Sequence, residues 1–214
     1  MANPVDTRIE ASDVIPMFPT LGWKMQLRPA FQQEVDAGIL AVLADVRKDL
    51  PPVEPGQGWQ SQPTLHQREE LRPLVHCIDQ AALGVLRFLH IGYRDIAITA
   101  CWANVLAKGA AHRMHSHPNN FLSGVYYVRT GPGADTINFH DPRPQTGVIR
   151  PPVTALTAEN TDQVVVRVKN GTLLLFPAYL AHSVDSNASE ETRVSISFNL
   201  MFSSFAEELA RPLW

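Results

Sequence analysis

Apolar residues from Pro29 to Leu50 recur every three or four positions, through Phe31, Val35, Ile39, Val42 or Leu43, Val46 and Leu50. That spacing predicts an amphipathic helix, with Pro29 in the first turn where a missing N–H costs nothing. The run Pro51-Pro52-Val53-Glu54-Pro55-Gly56-Gln57-Gly58 breaks it and opens a polar loop that continues to about His66. A second helical pattern follows through Leu74 or Val75, Ile78, Ala82, Val85 or Leu86 and Leu89, with Pro73 at its first turn or at a kink. Residues 1–27, with Pro4, Pro16 and Pro19 around short apolar pieces, read as an extended leading segment.

Beyond residue 95 the period falls from 3.6 to 2, and β-branched and aromatic residues become frequent. The predicted strands are Ile96 to Leu106, Arg113 to His117, Phe121 to Arg129, Thr136 to His140, Val164 to Val168, Thr172 to Phe176 and Arg193 to Phe202. Turn clusters separate them, and Asn170-Gly171 between two apolar runs is the strongest hairpin signal in the chain. Helices followed by many short strands imply an α+β fold whose body is a sandwich, barrel or jelly roll, with both helices on one outer face. The expectation is a single domain over 1–214, made of a leading segment with two helices (1–95), a β core (96–202) and a tail (203–214).

Composition narrows the function. A chain of 214 residues with 45% apolar and 18% charged residues can bury a substantial core. Its 18 Lys and Arg against 21 Asp and Glu give a net charge of −3, so binding of nucleic acid through phosphates is not expected. No run approaches the length of a spanning helix, and the first residues lack the basic and apolar regions of a signal peptide. Cys77 and Cys101 form no CxxC pair, which fits a reduced, cytoplasmic setting. The apolar C-terminal residues Phe202, Phe205, Leu213 and Trp214 could pack on the domain or on a second copy in a homodimer.

The 8 histidines carry most of the candidate chemistry. His115 and His117, two apart on a predicted strand, point to one side, whereas His112 would point away. Two adjacent imidazoles chelate a first-row metal if a third ligand arrives from elsewhere. His182, just past the apolar run ending at Phe176-Pro177, is the best placed to do so. On the last strand Val194, Ile196, Phe198 and Leu200 alternate with Arg193, Ser195, Ser197 and Asn199. If the polar side lines a barrel mouth, Arg193 is a fixed cation able to clamp a carboxylate, with Ser195 beside it. His66, His76, His90 and His140 read as structural or solvated, and Asn104 could reach a central cavity.

The order His115-Ser116-His117, Gly124-Val125-Tyr126-Tyr127-Val128, Gly171-Thr172-Leu173-Leu174-Leu175-Phe176-Pro177, His182 and Arg193-Val194-Ser195 resembles the 2-oxoglutarate- and Fe(II)-dependent oxygenases. The likeness is to a bacterial and phage group with a His-x-His-Pro motif, over about residues 96 to 202. It implies a double-stranded β-helix, a cupin-like jelly roll, with the N-terminal helices packed on one face. It also implies Fe(II) on His115, His117 and His182, and 2-oxoglutarate as cosubstrate held by Arg193, Ser195 and Tyr127. Ten residues, Ser183 to Thr192, separate His182 from Arg193, as is typical of the superfamily. The implied reaction hydroxylates a substrate while 2-oxoglutarate is decarboxylated to succinate. His117 stands where the superfamily usually has a carboxylate, which opens the site to Zn or Ni and leaves two alternatives. One is a cupin-like three-His enzyme acting directly on a small acid; the other is a non-catalytic metal-binding module.

Overall fold

The computed structural model describes residues 11–92, 95–143, 148–149 and 151–203. Ten strands form two sheets that face each other. The larger takes the order β1 (Trp23–Gln26), β8 (Thr172–Pro177), β5 (Leu122–Arg129), β10 (Arg193–Phe202), β3 (Ile96–Leu106) and β2 (Gly58–Gln60). The smaller takes the order β4 (His112–His115), β9 (His182–Val184), β6 (Thr136–His140) and β7 (Gln163–Arg167). All the named strand pairs are antiparallel. The expected double-stranded β-helix is therefore present, and among the described residues no helix is long and apolar enough to cross a membrane.

Helices α1 (Pro29–Val46) and α2 (Arg72–Phe88) cover the outer face of the larger sheet. Val35, Ile39 and Val42 from α1 and Leu74, Ile78 and Ala82 from α2 join one core with Cys101, Ala103, Tyr126, Leu173, Leu175, Val194, Ile196 and Phe198. Successive side chains of a strand point to opposite faces, so the residues between these enter the space between the sheets. There Val125, Tyr127, Leu174 and Phe176 meet Ile137, Val168 and Leu180 in a second core. The helices thus hold one face of β3, β5, β8 and β10 rigidly apolar, which fixes which residues face the interior.

Several boundaries differ from the sequence expectations for identifiable reasons. Helix α1 stops at Val46 rather than Leu50, because Pro51 disfavours helical backbone at the residue before it, and Leu50 lies exposed. Pro73 does sit in the first turn of α2. Strands β1 and β2 fall inside the expected leading segment and polar loop. They are three or four residues long and take their hydrogen bonds from the edges of a sheet, so periodicity has nothing to register.

Asn170-Gly171 does form a tight turn, in which the Thr172 N–H donates to Lys169 O at 3.0 Å and Gly171 adopts φ +78°. It is not a hairpin, however. Strand β7 pairs with β6 in the smaller sheet, while β8 pairs with β5 and β1 in the larger. The turn carries the chain from one sheet to the other, and local sequence cannot distinguish such a corner from a hairpin. Of the tail residues singled out for packing, Phe202 stacks on Phe121 at 4.8 Å between ring centroids; Phe205, Leu213 and Trp214 lie outside the described residues.

Gly124 lies opposite Phe198 in the β5–β10 pair. A Cβ there would come within 2.3 Å of the Phe198 ring and 2.6 Å of the Leu174 carbonyl oxygen. Because a backbone atom cannot swing aside, Gly124→Ala is expected to lower unfolding stability by about 1–3 kcal/mol, measured by urea denaturation. An unchanged midpoint would show that this sheet yields at its centre.

Candidate metal and cosubstrate site

The cavity between the sheets has a volume of about 350 Å³. Three imidazoles converge at one part of its wall, two placed by strand pairing and the third by a loop. His115 and His182 are direct cross-strand partners in the β4–β9 pair, with ring centroids 4.4 Å apart. His117 lies beyond the end of β4, in a loop fastened by its backbone N–H to Ala178 O at 2.9 Å. That bond ties the loop to the corner between β8 and β9, and brings the His117 ring to 5.1 Å from His115 and 5.2 Å from His182. One ring nitrogen from each residue lies within 4.8 Å of the others. Strand alternation therefore does not place His117, contrary to the expectation of a strand reaching that far; the loop does.

The tautomers are also set. His115 Nδ1 lies 2.7 Å from Arg113 O and His182 Nδ1 lies 3.0 Å from Leu180 O. A carbonyl can only accept, so Nδ1 carries the proton in both and Nε2 keeps its lone pair for a metal. Desolvation on burial pushes the His182 imidazole down to about 4, and desolvation with the neighbouring His115 does the same for His117. Both are thus neutral at physiological pH, the form that binds metal.

The sequence pattern on β10 has the expected consequence. Arg193, Ser195 and Ser197 all line the cavity, while Val194, Ile196, Phe198 and Leu200 pack under the helices. Arg193 is 3% exposed and forms no ion pair among the described residues. Its Nη2 donates a long 3.3 Å bond to Thr136 O, and its buried Nε has no partner. Its Cζ lies 5.2 Å from the centroid of the Tyr127 ring, and the buried Tyr127 hydroxyl also lacks a hydrogen-bond partner of good geometry. Desolvation raises the Tyr127 phenol to about 12, with Arg193 opposing the shift, so it stays protonated and can donate.

An unpaired buried guanidinium and an unpaired buried hydroxyl cost free energy unless something anionic satisfies them. Among the described residues no Asp or Glu lines the cavity. A dicarboxylate with one end on the imidazole side and the other on Arg193 fits this donor set, and three imidazoles fit Fe, Zn, Cu or Ni rather than Mg or Ca.

Other cavity residues escape a reading of the sequence. His112 lines the cavity instead of pointing away, because an irregularity in β4 between His112 and His115 breaks the two-residue alternation. Gln60, from the three-residue β2, donates through Nε2 to Asn104 Oδ1 at 2.8 Å, and Asn104 Nδ2 donates to Ser197 Oγ at 2.9 Å. Ser197 was legible in the polar stripe, whereas Gln60 carries no local signal. Trp102, on β3, sits 5.8 Å from the His117 ring. His140, read as structural, makes a 2.9 Å contact with Ser183 Oγ.

Two facing antiparallel sheets with clustered imidazoles between them form a jelly roll with a candidate metal site. Residues 100–199, running from β3 into β10, match the family model described as "Putative 2OG-Fe(II) oxygenase". Over those 100 of its 214 residues the chain is similar to the 2OG-Fe(II) oxygenases. No curated protein matches the sequence. Solved structures share the fold at low identity. The non-heme alpha ketoglutarate dependent carbocyclase SnoK from nogalamycin biosynthesis aligns with TM-score 0.61 at 15% identity, over 85% of this chain and 79% of its own. A Pseudomonas putida prolyl-4-hydroxylase aligns with TM-score 0.56 at 16% identity, over 85% and 93%. HygX from Streptomyces hygroscopicus, solved with nickel and 2-oxoglutarate bound, gives TM-score 0.59 at 11% identity, over 87% and 84%.

Desolvation, with Arg193 and His115 adding to it, lowers His112 to about 4 from the ordinary 6.5. A histidine depressed on folding contributes stability that is complete above pH 6.5 and is lost as pH falls toward 4. In metal-free protein, His112→Gln should therefore flatten the fall in stability between pH 6.5 and 5 by on the order of 1 kcal/mol. Urea denaturation at a series of pH values measures this, and an unchanged slope would mean that His112 is not held neutral.

Proposed function

We propose that this chain is a 2-oxoglutarate- and Fe(II)-dependent oxygenase, in which His115, His117 and His182 hold the Fe(II) and Arg193, Ser195 and Tyr127 hold the far carboxylate of 2-oxoglutarate. The observation that carries this reading is the pair of orphaned donors, Arg193 Nε and Tyr127 Oη, buried in the same acid-free cavity as three converging imidazoles.

The bound metal and cosubstrate supply the oxidising chemistry, in which 2-oxoglutarate is decarboxylated to succinate as a substrate is hydroxylated. The chain's residues bind, orient and shield. His115 and His182 present Nε2 because their Nδ1–H groups are anchored on carbonyls. His117 is held by the loop bond to Ala178. Arg193 offers Nε to a carboxylate while Thr136 O holds its other end, so it is oriented before the anion arrives. Tyr127 donates its hydroxyl, and Ser195, its cross-strand neighbour, adds a second. Three neutral ligands in place of two imidazoles and a carboxylate leave the metal one negative charge poorer, which strengthens its hold on an anionic cosubstrate.

Anaerobic Fe(II)-loaded protein should develop a visible charge-transfer band with 2-oxoglutarate; no band at millimolar cosubstrate would contradict the proposal. His115→Ala, His117→Ala and His182→Ala should each lower iron occupancy, measured by elemental analysis, whereas His112→Ala should not. Full occupancy in His117→Ala would break the three-imidazole assignment. Arg193→Ala should weaken 2-oxoglutarate binding by about 1.5–3 kcal/mol, as for loss of a charged hydrogen bond, and spare the metal.

A further inference from the structure

We propose that the substrate of this site is a small organic anion, and that Arg113 is the residue that reads its charge. The inference rests on the proposed metal and cosubstrate positions and adds to them a substrate class.

It begins from charge. The cavity is lined by Arg113 and Arg193, and among the described residues no carboxylate lines it. Two acids that flank the smaller sheet, Asp135 and Asp185, are not among the residues lining the cavity. Asp135 pairs with Arg167 at 3.1 Å, and Asp185 accepts a 2.8 Å bond from Asn138. With the metal divalent, Arg193 cationic and 2-oxoglutarate a dianion, the filled site keeps one positive charge before Arg113 is counted and two after. Such an excess in a cleft lined by one sign of charge favours an anion over a neutral or cationic substrate.

Arg113 differs from Arg193 in a way that separates their tasks. Arg193 is buried and partly held by Thr136 O, as suits a partner bound in every catalytic cycle. Arg113 is exposed, borders the same cavity, and makes no ion pair among the described residues. Its backbone carbonyl orients His115, so its place in the chain is tied to the metal site while its side chain remains free to meet a ligand. A guanidinium at that position recognises a carboxylate or phosphate by paired hydrogen bonds. The cavity of about 350 Å³ lies at the small end of the range for ligand sites, and part of it belongs to the cosubstrate. The remainder suits a compact molecule whose reacting carbon lies beside Trp102 and His117 with its anionic group on Arg113.

The test uses phenylacetate and phenylacetamide, which match in shape and differ in charge. Each is titrated anaerobically into the full-length Fe(II) and 2-oxoglutarate complex and read from the shift of its charge-transfer band. Wild-type protein should bind the acid about fivefold to tenfold more tightly than the amide, the worth of one half-exposed charged contact. Arg113→Gln should bring the two to equal affinity, and Arg113→Lys should restore part of the difference. Equal binding by wild-type protein, no binding of the acid, unchanged discrimination in Arg113→Gln, or loss of the band through displacement of 2-oxoglutarate would each overturn the proposal. Absence of the band before any probe is added would instead contradict the cosubstrate assignment. The same acid and amide comparison on the Co(II) protein, read from its ligand-field spectrum, then tests Arg113 independently.

Discussion

Strand β10 must satisfy two opposed environments at once, and the rest of the molecule is arranged around that constraint. It lies between β5 and β3 in the larger sheet, so both of its edges are hydrogen-bonded and only its two faces remain to be covered. One face, Val194, Ile196, Phe198 and Leu200, is sealed under α1 and α2. The other, Arg193, Ser195, Ser197 and Asn199, is turned inward where each polar group needs a partner. Ser197 finds Asn104, and Asn199 finds the Ser123 hydroxyl at 2.7 Å. Arg193 finds only a long bond to Thr136 O. A shift of one residue in register would drive the charge under the helices and the valine into the cavity, so the apolar packing on the outside is what aims the arginine.

The site is therefore held from behind rather than from within. The helices and the Gly124–Phe198 contact fix the large sheet; the corner between β8 and β9 fixes His182 and, through Ala178, His117. The Asn170-Gly171 turn carries the chain from the smaller sheet to the larger. What the fold leaves unsatisfied is concentrated at one place. Arg193 Nε and the Tyr127 hydroxyl carry a desolvation cost that the rest of the fold offsets and that an anion would relieve. Stored instability of this kind is expected where a ligand binds.

Much of this was legible in the chain. The period of 3.6 located both helices, and the alternation on β3 and β10 gave their bounds, because each pattern repeats over ten or more residues. The spacing from His182 to Arg193 and the Tyr-Tyr pair point to His182, Arg193 and Tyr127, which line one cavity. The parts that escaped depend on contacts made at a distance. β1 and β2 are strands because a sheet edge receives them. His112 joins the cavity because β4 is irregular, and Gln60 reaches Asn104 across 44 positions of sequence. The Asn-Gly turn was recognised as a turn and misassigned as a hairpin, since its conformation is local but the partners of its flanking strands are not.

The most direct measurement of the central claim is anomalous diffraction at the iron edge from crystals grown anaerobically with Fe(II) and 2-oxoglutarate. The account predicts one iron peak bounded by the ring nitrogens of His115, His117 and His182, with the far carboxylate of the cosubstrate on Arg193. A peak outside that triangle, or a cosubstrate that leaves Arg193 unpaired, would contradict it.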